Sequence, residues 1–156
     1  MSKLRPADVV GGAGGLALLI TLFLPWYGVE GRGVVAYGPG SSLTATAGQA
    51  LSVVDILLAL AAVLAVALPV VTATAAGPAK PVALTVLSSV GSIFAALLVL
   101  WRLLDSPGDH LGLRYGAWLG LLAALVMLGG CWGAMRDDRT PGTAPPTIPR
   151  RPVPPA

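Results

Sequence analysis

The sequence of 156 residues is poor in the side chains that perform catalysis or bind metals. It contains one cysteine, Cys131, and one histidine, His110. A single cysteine excludes a disulfide or a two-cysteine redox relay within the chain. A single histidine excludes paired axial haem ligation and most histidine-based metal sites. We therefore predict no catalytic residue, no cofactor and no metal site, and we expect that the chain is not an enzyme.

Charged residues are also scarce. They make up 11% of the chain, against roughly 25% in ordinary soluble domains, while apolar residues reach 55%. The net charge of +3 is the difference between ten Lys and Arg and seven Asp and Glu. The ten cations are scattered along the chain, whereas nucleic-acid-binding proteins concentrate theirs in a patch. The composition predicts a partner that is a lipid bilayer and excludes nucleic acid.

The apolar residues collect in four long segments, at residues 9–26, 51–71, 82–104 and 111–135. A helix of about 20 residues matches the hydrocarbon core of a bilayer, which is about 30 Å thick. We predict an all-α fold, a four-helix transmembrane bundle of two helical hairpins in a domain of residues 1–136. No acidic residue lies at the centre of a span, which argues against a proton-coupled transporter.

The positions of the positive charges predict how this bundle is oriented. An even number of spans places both termini on one side, together with seven of the ten cations: Lys3, Arg5, Lys80, Arg136, Arg139, Arg150 and Arg151. The other side has Arg32, Arg102 and Arg114. Because Lys and Arg are retained in the cytoplasm, both termini are predicted to be cytoplasmic. An aromatic belt is then expected at the outer interface, formed by Trp26, Tyr27, Trp101, Tyr115 and Trp118.

The segment at residues 27–50 is predicted to be an outer loop between the first two spans. Within it, Val29–Val34 suits either a small β-hairpin or an irregular lid. After it, Ser52 and Asp55 have the spacing of a capping box, with Asp in place of Glu. A helix cap is the prediction for Asp55, and a proton or ion site is the alternative.

Small residues recur along the predicted fourth span. Gly112, Gly116 and Gly120 are spaced four residues apart, so they would share one face of a helix. In lipid, close approach of backbones is a main source of helix association. We predict that this face packs against another helix of the same chain. The alternative is packing against a second copy or a partner membrane protein.

Four charged residues are predicted to form a cluster at the outer interface: Arg102, Asp105, Asp109 and Arg114. A cation at position 102 suits the C-terminus of the third helix, from which its side chain can extend to the interface. Solvated pairs of this kind contribute little to stability. The alternative is a binding site for an anion or a lipid headgroup.

The tail at residues 137–156 is predicted to be a disordered, Pro-rich cytoplasmic segment. Its last sixteen residues contain seven prolines, and such a composition cannot form a core. Pro146–Pro149 and Pro149–Pro152 fit the P-x-x-P spacing of segments that bind partners as polyproline helices. A solvated tail is the prediction, and recruitment of a cytoplasmic partner is the alternative.

Several strings of the sequence resemble a known group of proteins: Leu24–Tyr27, Ala50–Leu58, Trp101–Gly108, Leu113–Gly120 and Met135–Asp138. Together they resemble the small, uncharacterised four-span integral membrane proteins of high-GC actinobacteria, over roughly residues 8–138. The resemblance implies the plasma membrane of a bacterium and brings no known activity.

Three functions fit these observations. The first, which we favour, is a non-enzymatic scaffold or accessory subunit. The second is a small transporter or channel component, which would need a polar cavity at mid-depth. The third is a lipid-acting enzyme at the outer face, which would need a groove at the charged cluster.

The predicted orientation can be tested by cysteine labelling in a Cys131→Ala background. A Ser42→Cys variant is expected to react with an impermeant thiol reagent in intact cells, because residue 42 lies in the predicted outer loop. A Thr143→Cys variant is expected to react only after the cells are opened. The reverse pattern would show that the orientation is inverted.

Overall fold

The computed structural model describes residues 4–29, 44–46, 53–105 and 111–137. Most of these residues form four helices: α1 (Pro6–Thr21), α2 (Val53–Thr74), α3 (Ala79–Leu104) and α4 (Tyr115–Arg136). Three short strands form an antiparallel sheet in the order β2-β1-β3: β1 (Pro25–Val29), β2 (Thr44–Thr46) and β3 (Leu111–Leu113). The helical fold class is confirmed, and the sheet is an addition that the sequence does not predict.

Three of the helices, α2, α3 and α4, are long and apolar enough to cross a membrane. Their bulky apolar side chains point away from the bundle, with Ile56, Phe94 and Leu122 at 67%, 62% and 60% exposed. Extensive apolar surface of this kind is rare on soluble proteins and marks contact with lipid or with another protein. The chain is therefore a multi-pass membrane protein.

The first helix is shorter than the predicted span. The sequence predicts a span at residues 9–26, whereas α1 has 16 residues, Pro6–Thr21, and is about 24 Å long at about 1.5 Å per residue. The chain turns at residues 22–24 and enters β1 at Pro25. A proline disfavours helical backbone at the residue before it, which explains why the helix ends ahead of this position. Within the described part of the chain, three helices and not four have membrane-crossing length.

The fourth helix begins later than predicted. Residues 111–113 form β3, and α4 begins at Tyr115. Gly112 is therefore paired with Gly28 in the sheet and does not share a helix face with Gly116 and Gly120. The apolar run passes from strand into helix without a break, and apolar content alone does not distinguish the two.

Neighbouring helices around the bundle are antiparallel. At one end Gly11 of α1 meets Gly130 of α4, and at the other end Pro25 meets Gly116. The remaining neighbours are α1 with α2, α2 with α3, and α3 with α4. The most extensive packing joins α1 to α4, which belong to different predicted hairpins, so the division into two hairpins is not confirmed.

Glycines allow α1 to approach both of its neighbours at backbone distance. A Cβ added to Gly11 or Gly14 would lie within 3.1 Å of atoms in α4. A Cβ added to Gly12 or Gly15 would lie within 2.7 Å of atoms in α2. The larger side chains of α1, such as Leu16 and Ile20, are more than half exposed, so this helix packs through its smallest residues.

Two of the predicted segments lie almost wholly outside the described residues. Val29 ends β1, but the rest of the hairpin predicted at Val29–Val34 is not described, and neither is the tail beyond residue 137. The described partners of β1 are β2, from the end of the predicted outer loop, and β3.

The contact between α1 and α4 can be tested with two adjacent glycines. A Cβ on Gly130 would lie 2.5 Å from Cα of Gly11, whereas a Cβ on Gly129 has nothing within 4 Å. Both substitutions by Ala gain about 1 kcal/mol of helix propensity, but only Gly130→Ala forces the helices apart, at a cost of about 1–3 kcal/mol. We expect a lower Tm in detergent for Gly130→Ala than for Gly129→Ala. Equal melting of the two variants would contradict the contact.

Candidate functional sites at the two ends of the bundle

The end of the bundle opposite the sheet contains a buried ion pair. Arg5 and Asp8 are 4% and 0% exposed, and Nη2 of Arg5 lies 2.7 Å from Oδ1 of Asp8. Nε of Arg5 donates to both carboxylate oxygens, and the backbone N–H of Arg5 donates to Oδ2 at 3.3 Å. The carboxylate also lies in the first turn of α1, where the helix dipole favours negative charge. Asp8 is therefore stabilised by the guanidinium and by the start of its own helix.

The same arginine reaches a second helix. Nη2 of Arg5 donates to Oγ1 of Thr85 in α3 at 3.2 Å, and Oγ1 of Thr85 donates to the carbonyl of Pro81 at 2.8 Å. We call Arg5, Asp8 and Thr85 the polar lock. It connects the start of α1 to the start of α3, and it avoids the cost of an isolated buried charge because its two charges neutralise each other.

A row of buried hydroxyls continues along α3 from the polar lock. Ser88, Ser89 and Ser92 lie on one face of the helix and are at most 1% exposed. Ser88 donates to the carbonyl of Leu64 in α2 at 3.1 Å, and Ser89 donates to the carbonyl of Cys131 in α4 at 2.9 Å. The row therefore ties α3 to both of its neighbours through backbone acceptors.

The sheet end of the bundle is closed by the side chains of β1. Trp26 and Tyr27 are 0% exposed, so these two residues do not belong to the predicted aromatic belt. Nε1 of Trp26 donates to the carbonyl of Thr21 at 2.6 Å. The other aromatic residues predicted for the belt are more than half exposed: Trp101, Tyr115 and Trp118.

The predicted glycine face of α4 contacts a strand. A Cβ on Gly116 would lie 2.5 Å from the carbonyl oxygen of Pro25, and a Cβ on Gly120 would lie 2.6 Å from the ring of Trp26. Both glycines are thus needed where β1 crosses the start of α4, and their partner is not the helix that the four-residue spacing predicts. The reason is that α1 ends at Thr21, so the strand that follows it, and not the helix, lies beside these two glycines.

The predicted charged cluster is only partly brought together. Arg102 is half-buried at the end of α3, its carbonyl accepts a hydrogen bond from the hydroxyl of Tyr27 at 3.2 Å, and its Cζ lies 5.4 Å from the ring centroid of Trp101. Burial raises the pKa of Tyr27 above its ordinary value, with a smaller lowering by Arg102 and a further raising by Asp105. Arg102 and Asp105 therefore act on the same buried phenol.

The remaining members of the cluster lie apart or are not described. Arg114 is exposed, its backbone N–H donates to the carbonyl of Trp26 at 2.9 Å, and its guanidinium covers Gly28. No ion pair joins the three described members of the cluster to one another. Asp109 lies outside the described residues. The anion-site alternative therefore stays a prediction.

Three buried polar atoms lack a hydrogen-bond partner among the residues that the structure describes: Nε of Arg102, Oδ1 of Asp55 and Oγ1 of Thr72. Ser52, the predicted capping partner of Asp55, lies outside the described residues, so the cap also stays a prediction. Asp55 and Thr72 lie at opposite ends of α2, and Arg102 lies in the last turn of α3.

Sequence reasoning missed the polar lock and the hydroxyl row. The signal for the row is the spacing of Thr85, Ser88, Ser89 and Ser92, which repeats the 3.6-residue period of a helix face. The signal for the lock is weaker, because the three-residue spacing of Arg5 and Asp8 indicates an ion pair without showing that a distant threonine joins it.

Comparison with protein-family models, with curated proteins and with solved structures gives no match for this chain. Inference about its function therefore depends on the packing and chemistry described above.

The polar lock can be tested by removing its members in turn. Asp8→Ala leaves the guanidinium of Arg5 buried without a counter-charge, which costs about 3–5 kcal/mol. Thr85→Val removes one hydrogen bond, worth about 1 kcal/mol. We expect the Tm in detergent to fall strongly for the first variant and modestly for the second. Thr74→Val is the control, because that hydroxyl is exposed, and equal melting of all three variants would contradict the lock.

Proposed function

We propose that this chain is a non-enzymatic scaffold or accessory subunit of a bacterial plasma membrane, with both termini in the cytoplasm. The multi-pass architecture supports the membrane part of the proposal. The cytoplasmic placement is supported by the excess of Lys and Arg at the terminal segments and by the position of the described chain ends. Arg5 and Met135 line the same groove, so the start of α1 and the end of α4 lie at one end of the bundle.

The observation that carries the proposal is the closely packed interior of the bundle. The core is rich in small residues, among them Ala61, Ala62, Ala65 and Ala124. The groove between α2 and α3 has a volume of about 320 Å³ and is lined by apolar residues such as Phe94. The groove between α1 and α4 is also apolar, with a volume of about 390 Å³. The bundle thus has a core of small residues and apolar grooves at its surface, where a partner protein can pack.

A transporter component is the second candidate, because the hydroxyl row of α3 is the polar feature from which a pathway would be built. Its serines, however, donate to backbone carbonyls of the same bundle. A pathway would require these hydrogen bonds to break and the helices to separate. We therefore place the scaffold function first and assign no catalytic residue, cofactor or metal.

Site-specific photo-crosslinking in cells tests the scaffold function. A photoreactive phenylalanine analogue is placed at position 94, in the α2–α3 groove, and at position 122, in the α1–α4 groove. A scaffold is expected to give a discrete protein adduct from one groove and lipid adducts from the other, because a partner covers a defined face. The analogue at Leu58, which is 0% exposed, is the control and should give no adduct with another protein.

Lipid adducts alone from both grooves, or ion flux through the purified chain in liposomes, would contradict the scaffold function.

Truncation after Asp138 then locates the contact. Loss of the protein adduct assigns partner recruitment to the tail, and retention of the adduct assigns recruitment to the bundle.

A further inference from the structure

We draw no further inference here: the strongest candidate, the groove at the turn between α2 and α3 that Thr74 and Lys80 line, rests on an exposed lysine at the start of a helix, and no second observation in the described part of the chain points to a ligand there.

Discussion

The backbone contact between α1 and α4 determines how the rest of the structure is arranged. A Cβ at Gly130 would overlap the backbone of Gly11, and a Cβ at Gly11 would lie only 3.1 Å from atoms of Cys131. This approach brings the start of α1 beside the end of α4, and it brings the strand after α1 beside the start of α4. The sheet, the buried Trp26 and the groove at Arg5 all lie where this antiparallel pair places them.

Lipid changes which interactions hold such a bundle together. Apolar side chains gain little from leaving lipid for the protein interior, so association depends on dispersion contacts and hydrogen bonds. The chain uses both: small residues line the contacts of α1, and the hydroxyls of α3 donate to carbonyls of α2 and α4. Large apolar residues such as Phe94 lie on the outside, which reverses the pattern of a soluble protein.

The membrane class and the helices could be predicted from the sequence, because long apolar segments with few charges have one common explanation. The ends of the helices were less predictable. Pro25 and Leu111–Leu113 belong to a sheet that forms only when distant segments meet, and an apolar run does not reveal the change from strand to helix.

The sites were harder to predict than the helices. Spacing identified Gly116 and Gly120 as packing positions, but their partner, β1, depends on where α1 stops. For the polar lock, the sequence shows a charged pair near the start of a helix, and it does not show that Thr85, 80 residues away, completes its hydrogen bonds. Tertiary contacts of this kind leave no local pattern.

A helix of 16 residues in a bundle of longer helices needs to be held at both of its ends. At about 24 Å, α1 is shorter than the hydrocarbon core of about 30 Å, so backbone beyond its ends would meet lipid without partners. Beyond one end, the N–H of Arg5 donates to Asp8, and the guanidinium of Arg5 donates to Thr85. Beyond the other, β1 pairs with β2 and β3. The polar lock and the sheet thus solve the same problem, because each provides hydrogen-bond partners where the helix stops.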